Sequence, residues 1–89
     1  MQVRFEWDED KARGNLRKHK VSFEEAQTVF YDPFSITIPD PDHSFGEDRF
    51  IDIGLSAKNR ILVVVYTERG NSIRLISARK ATPRERMTL

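Results

Sequence analysis

Hydrophobic and polar residues alternate in short blocks along this chain. Val3 and Phe5 alternate with polar neighbours across Gln2 to Glu6, which predicts a short strand. Asp8 can then cap a helix with an acidic first turn (Glu9, Asp10) and basic last turns (Arg17, Lys18, His19, Lys20), the order the helix dipole favours. Ala12 and Leu16 are the main apolar pair on it, so it is expected to lie on the surface. Ser22 and Glu25 form a capping box for a second helix, whose stripe of Phe23, Ala26 and Phe30, with Val29 beside it, ends at Asp32-Pro33. From Phe34 through Ile36 and Ile38 the period changes to two, predicting a strand that stops at Pro39. Residues 39–46 are turn chemistry throughout and predict an exposed loop. A strand follows from Glu47 to Ser56, with Ile51, Ile53 and Leu55 on one side and Glu47 and Arg49 in the same parity, just beyond the core's edge.

After a turn at Ala57 to Asn59, the run Arg60 to Thr67 is β-branched and apolar almost throughout and suits a central strand. Gly70-Asn71 tolerates positive φ and should reverse the chain into a hairpin whose second strand reaches Lys80. Thr82-Pro83-Arg84-Glu85 is another capping box with Pro at the first helical position, opening a helix too short to stand without packing or a partner. The predicted order is β-α-α, a four-stranded antiparallel meander and a short C-terminal helix: an α+β two-layer domain with its helices on one sheet face.

Eighty-nine residues make one domain, 1–89. Cysteine is absent, so no disulfide or thiolate metal site holds it together. No run is long enough for a membrane span and the acidic N-terminus is unlike a signal peptide; a cytoplasmic protein is expected. The net charge of +1 conceals an uneven distribution. Residues 1–56 hold 7 cations against 12 acids, and residues 57–89 hold 8 against 2. Within the acidic part, residues 11–20 contain five cations and no acid. Brought together by the fold, these two basic clusters would suit phosphates; kept apart, they are solvated faces.

Arg74 in mid-strand, with Arg79 and Lys80 at its end, places long cations close to a core, where they must be paired or meet an anionic ligand. The motifs Phe-Glu-Trp-Asp (5–8), Lys-His-Lys-Val-Ser-Phe (18–23), Asp-His-Ser-Phe-Gly-Glu-Asp-Arg-Phe (42–50) and Ile-Ser-Ala-Arg-Lys-Ala (76–81), in this element order, resemble the BrnT family of type II toxins. The resemblance spans nearly the whole chain. It implies a RelE-like fold, endoribonuclease activity and neutralisation by a cognate antitoxin in a complex that can be heterotetrameric. One departure from the family is that the sequence stops at Leu89, inside the C-terminal helix that related proteins continue.

RNA cleavage without metal needs a base for the 2′-hydroxyl proton, cations for the pentavalent phosphate and an acid for the leaving oxygen. Arg74 and Arg79 are the candidates for phosphate stabilisation, since a guanidinium fork matches phosphate oxygens, and Arg49 can assist. Glu47 or His19 is the base, the other acting as acid or orienting its neighbours; alternatively His19 only complements the helix dipole, and Glu47 and Arg49 only form a surface ion pair. Lys18, Lys20, Arg60 and Lys80 are candidate contacts to the RNA. Tyr66 is a core aromatic or a platform for a base, and Ser77 a packing residue or a contact. Trp7 is expected as a core anchor beside the first helix. A turn rich in Asp and Pro explains Asp40, Asp42 and His43 more simply than a metal does, and no Gly-rich phosphate loop or dinucleotide fingerprint is present. No metal or cofactor is expected. A non-catalytic module binding nucleic acid or protein through the same basic residues is the competing reading.

Overall fold

The computed structural model describes residues 3–40 and 47–89. The order is β1 (Arg4–Glu6), α1 (Glu9–His19), α2 (Phe23–Thr28) running into a 3₁₀ turn (Val29–Tyr31), β2 (Ile36–Pro39), β3 (Arg49–Leu55), β4 (Ile61–Arg69), β5 (Ser72–Lys80) and α3 (Pro83–Arg86). Five strands form one sheet in the order β1-β5-β4-β3-β2, with β4 at its centre. The meander from β2 to β5 is antiparallel, and β1 adds parallel to β5. Among the described residues no helix is long and apolar enough to cross a membrane.

The caps form where the sequence places them. The Asp8 carboxylate accepts the N–H groups of Asp10 and Lys11, and Ser22 Oγ accepts that of Glu25; Thr82 with Glu85 closes a full capping box, whereas the Ser22 box is only half made, the Glu25 carboxylate being taken by Arg60 and Ser56. The core lies between the sheet and α1–α2, with Phe23, Ala26 and Val29 facing Leu62, Val64, Tyr66, Leu75 and Ala78. Trp7 packs edge-on against Phe23, with ring centroids 5.9 Å apart, and is the anchor expected beside the first helix.

Three features differ from the sequence expectation. The first helix lies on the surface as expected, but its apolar pair does not hold it there, because Leu16 is half exposed. Its anchor is the buried Asn15, whose Nδ2 donates to the carbonyls of Val21 and Ala78 at 2.9 and 2.8 Å while Oδ1 accepts the Ala78 N–H. One amide thus satisfies the edge of β5 beyond the reach of β1. The Ile51, Ile53 and Leu55 parity of β3 faces away from the helices, and the helix side of β3 presents Phe50, Asp52 and Gly54. Gly54 is required there: a Cβ would lie 2.7 Å from Ser35 Cβ and 3.0 Å from Val29 Cγ1, so only glycine lets the 3₁₀ turn cross this close. Finally, Phe34 lies outside the strand it was expected to open and is exposed.

Candidate active site

The ladder registers set out the helix-free face of the sheet in rows. Arg49 on β3 faces Thr67 on β4, Thr67 faces Arg74 on β5, and Arg74 faces Glu6 on β1. Toward the hairpin tip, Arg69 lies two residues beyond Thr67, and its Nε and Nη2 grip the Glu47 carboxylate at 2.6 and 3.1 Å. Arg74 Nη1 donates to Glu6 Oε2 at 2.8 Å. Glu47, Arg49, Arg69 and Arg74 therefore form one charged patch at one end of the sheet.

Arg79 shares this face only because of a bulge. Five residues separate it from Arg74, an odd number that in a regular strand would turn the two to opposite sides. Val65 pairs with Ser77 and Tyr66 with Leu75, so Ile76 is an extra residue on β5. Beyond it the parity flips, and Arg74, Ser77 and Arg79 project to one side, opposite Thr67, Val65 and Val63. The four steps along β4 from Thr67 to Val63, their partners, put Arg74 and Arg79 about 13 Å apart along the sheet. Arg79 is held by Glu85 of α3 through two bonds of 2.7 Å.

These pairings dominate the local electrostatics. The Arg69 hydrogen bonds hold the Glu47 carboxyl below its ordinary range, helped by the fields of Arg74 and Arg49. Arg79 brings Glu85 down to about 2, an effect to which the Thr82 N–H contributes. Asp8 is lowered chiefly by the Lys11 N–H, with Arg74 adding to it. In the middle of the patch, Thr67 is only 2% exposed and its hydroxyl has no hydrogen-bond partner.

Other expected site residues fall elsewhere. Tyr66 is on the helix side, 4% exposed, between Phe30 and Phe50 at centroid distances of 4.9 and 5.6 Å. Burial in the core leaves no ring face for a base to stack on, which corrects its reading as a contact to RNA. Lys18, His19 and Lys20 end α1 beside the start of β4, where Arg60 Nη2 donates to the Lys20 carbonyl at 3.0 Å. Glu47 sits at the other end of β4, so the fold does not bring His19 to it. Arg60 also clamps the buried Glu25 through Nε and Nη2, and Ser56 Oγ donates to the same carboxylate at 2.7 Å. The Arg60 bond lowers the Glu25 carboxyl. Asp42 and His43 lie outside the described residues.

Arg69, Glu6, Glu85 and Thr67 were not singled out as site residues from sequence. Arg69 reads as part of the turn and Glu85 as a helix cap. The one available signal is that a capping-box glutamate six residues after Arg79 can reach it.

The profile of the family described as "Ribonuclease toxin, BrnT, of type II toxin-antitoxin system" matches residues 7–85. The fold is similar to that of the 1.1 Å crystal structure of the Brucella abortus ribonuclease toxin BrnT, with a TM-score of 0.72 and 23% identity over 91% of this chain and 99% of that one. Among curated proteins none matches. With the family profile covering all but the two ends of the sequence, the chain belongs to the BrnT family of type II toxin–antitoxin ribonuclease toxins.

Proposed function

We propose that this chain is an endoribonuclease toxin that cuts RNA without a metal and is silenced by a cognate antitoxin. The observation that carries this is the row Arg49–Thr67–Arg74 beside Glu47 on the helix-free face, supported by membership of a ribonuclease toxin family. An incoming phosphate competes with the carboxylates for guanidinium forks. Arg74 turns from Glu6 to the phosphate, and Arg69 loosens its hold on Glu47. That release matters, because a carboxylate held low is a poor base, and losing its cation raises its basicity where the 2′-hydroxyl proton must be taken. The 2′-oxygen then attacks phosphorus, the arginines stabilise the charge on the pentavalent phosphate, and the P–O5′ bond breaks as the leaving 5′-oxygen takes a proton from water to become the 5′-hydroxyl. Arg79, about 13 Å along the sheet, holds a neighbouring phosphate once freed from Glu85. Glu47 is the favoured base over His19, which sits at the far end of β4 with Lys18 and Lys20 and serves there to attract the RNA.

The test is incubation of purified protein with end-labelled RNA in EDTA. Fragments ending in 2′,3′-cyclic phosphate and 5′-hydroxyl groups are expected, with Arg74→Gln lowering kcat at least tenfold. Activity abolished by chelator and restored by Mg²⁺ would overturn the metal-free mechanism. RNA bound but never cut would establish the non-catalytic reading, to which the carboxylate partners of Arg69, Arg74 and Arg79 lend some weight.

A further inference from the structure

A concavity of about 290 Å³ opens at the opposite end of the sheet from Glu47, lined by Asn59, Arg60, Ile61, Lys80, Ala81 and Arg86. Three of its six residues are cations from three elements: the start of β4, the end of β5 and α3. The Arg60 fork is fixed in place by the buried Glu25 and the Lys20 carbonyl, so one wall is rigid. Lys80 and Arg86 have no carboxylate within ion-pair distance among the described residues. Glu25 balances Arg60, and the remaining charge in the pocket is positive and unspent.

We infer that this pocket is a second phosphate subsite, separate from the cleavage patch, which holds the RNA backbone at a distance from the cut. The inference rests on the ribonuclease reading for its substrate. Lys80 is paired with Leu62 and Arg74 with Thr67, so the pocket and the patch are separated by about five residues of β4, or about 17 Å. That exceeds the screening length of about 8 Å at physiological salt, so the two sites act as independent anion sites. No single phosphate reaches both. A polyanion that runs past Arg74, Ser77 and Arg79 on one face of β5 and turns round the end of the sheet does, since Lys80, paired with Leu62, points to the other face, beside Arg60. The pocket explains why α3 matters to a site on the sheet: its Glu85 positions Arg79 while its Arg86 completes the pocket.

The experiment uses two RNAs of the same sequence. A fully 2′-O-methylated RNA keeps every phosphate but cannot be cut through its 2′-oxygen, and it reports binding alone; the unmodified RNA reports cleavage. Arg86→Gln and Lys80→Gln are compared with Arg84→Gln, which removes the same charge from α3 outside the pocket. The expected result is a three- to tenfold weaker Kd for each pocket variant, a salt slope shallower by about 0.7 per lost contact, and a raised KM with kcat kept. Arg84→Gln should change Kd less than twofold. Arg86→Gln indistinguishable from Arg84→Gln in Kd and slope would overturn the subsite. So would normal RNA binding by Arg86→Gln with weakened antitoxin binding, which would assign the pocket to the protein partner. Wild-type protein that binds the methylated RNA through the pocket yet leaves the unmodified RNA intact would remove the ribonuclease reading and leave the subsite standing.

Discussion

Among the described residues two buried side chains carry an oxygen without a partner, and their positions give them opposite meanings. Asp52 is 2% exposed on the helix side of β3, where burial raises its carboxyl against the Ser35 and Thr37 hydrogen bonds that lower it, and Oδ1 is unsatisfied. A carboxyl raised on folding gives up its proton less readily in the folded than in the unfolded state. Stability is therefore lost as pH rises from the ordinary aspartate value through the folded one, and the full penalty applies at neutral pH. Asp52→Asn should gain about 1 kcal/mol at pH 7, with the gain vanishing near pH 3, in urea titrations at both pH values. Thr67 has its orphan hydroxyl buried between Arg49 and Arg74 instead, where a phosphate or its water reaches it only once Arg74 turns aside from Glu6. Thr67→Val should be neutral or slightly stabilising yet lower kcat/KM several-fold, with Thr67→Ser restoring it. A Val variant as active as wild type would make that hydroxyl a bystander.

At the scale of elements, strands and caps were legible because period and capping chemistry are local. The faces were not. Counting parity cannot reveal the extra residue at Ile76, which is what turns Arg74 and Arg79 to one side. It also cannot say which face of β3 the helices cover, since Ile51 and Ile53 read as core while Phe50, Asp52 and Gly54 face α2 and the 3₁₀ turn. The docking of α1 was hidden for a different reason. Its anchor is polar, and a search for apolar stripes passes over Asn15. Replacing Asn15 by Leu removes three buried hydrogen bonds and strands the N–H and C=O of Ala78, for an expected loss of about 2–4 kcal/mol. Chemical denaturation measures this directly, and a loss under about 1 kcal/mol would show that α1 is held by something other than this amide.

Across the whole molecule, the helix-free face combines the charged patch with an incompletely covered apolar stripe: Ile36, Ile51 and Ile61 are half-buried, and Ile38 and Leu55 are exposed. At one end α3 adds exposed Met87 and Leu89 and is tied to the sheet by Arg79 and Glu85. The basic residues of α1 and of β5 do not merge into one surface as their separation in sequence left open; they meet only around the start of β4, near Arg60. On the proposed function, a partner that silences the chain excludes RNA from the patch, and this face offers it both charge and apolar area. We expect the antitoxin to lay an acidic segment over Arg74 and Arg79 and to bury Met87 and Leu89 with apolar side chains, binding fast and salt-sensitively through the first contact and slowly dissociating through the second. Adding the product of the neighbouring gene while following RNA cleavage and proteolysis of residues 82–89 checks both halves. Cleavage should stop and the C-terminal segment should become protected, because a helix of one turn is ordered mainly by what packs on it. Cleavage that continues at saturating partner would refute the cover, and cleavage that stops while the segment stays equally labile would move the apolar contact to the Ile38 and Leu55 stripe.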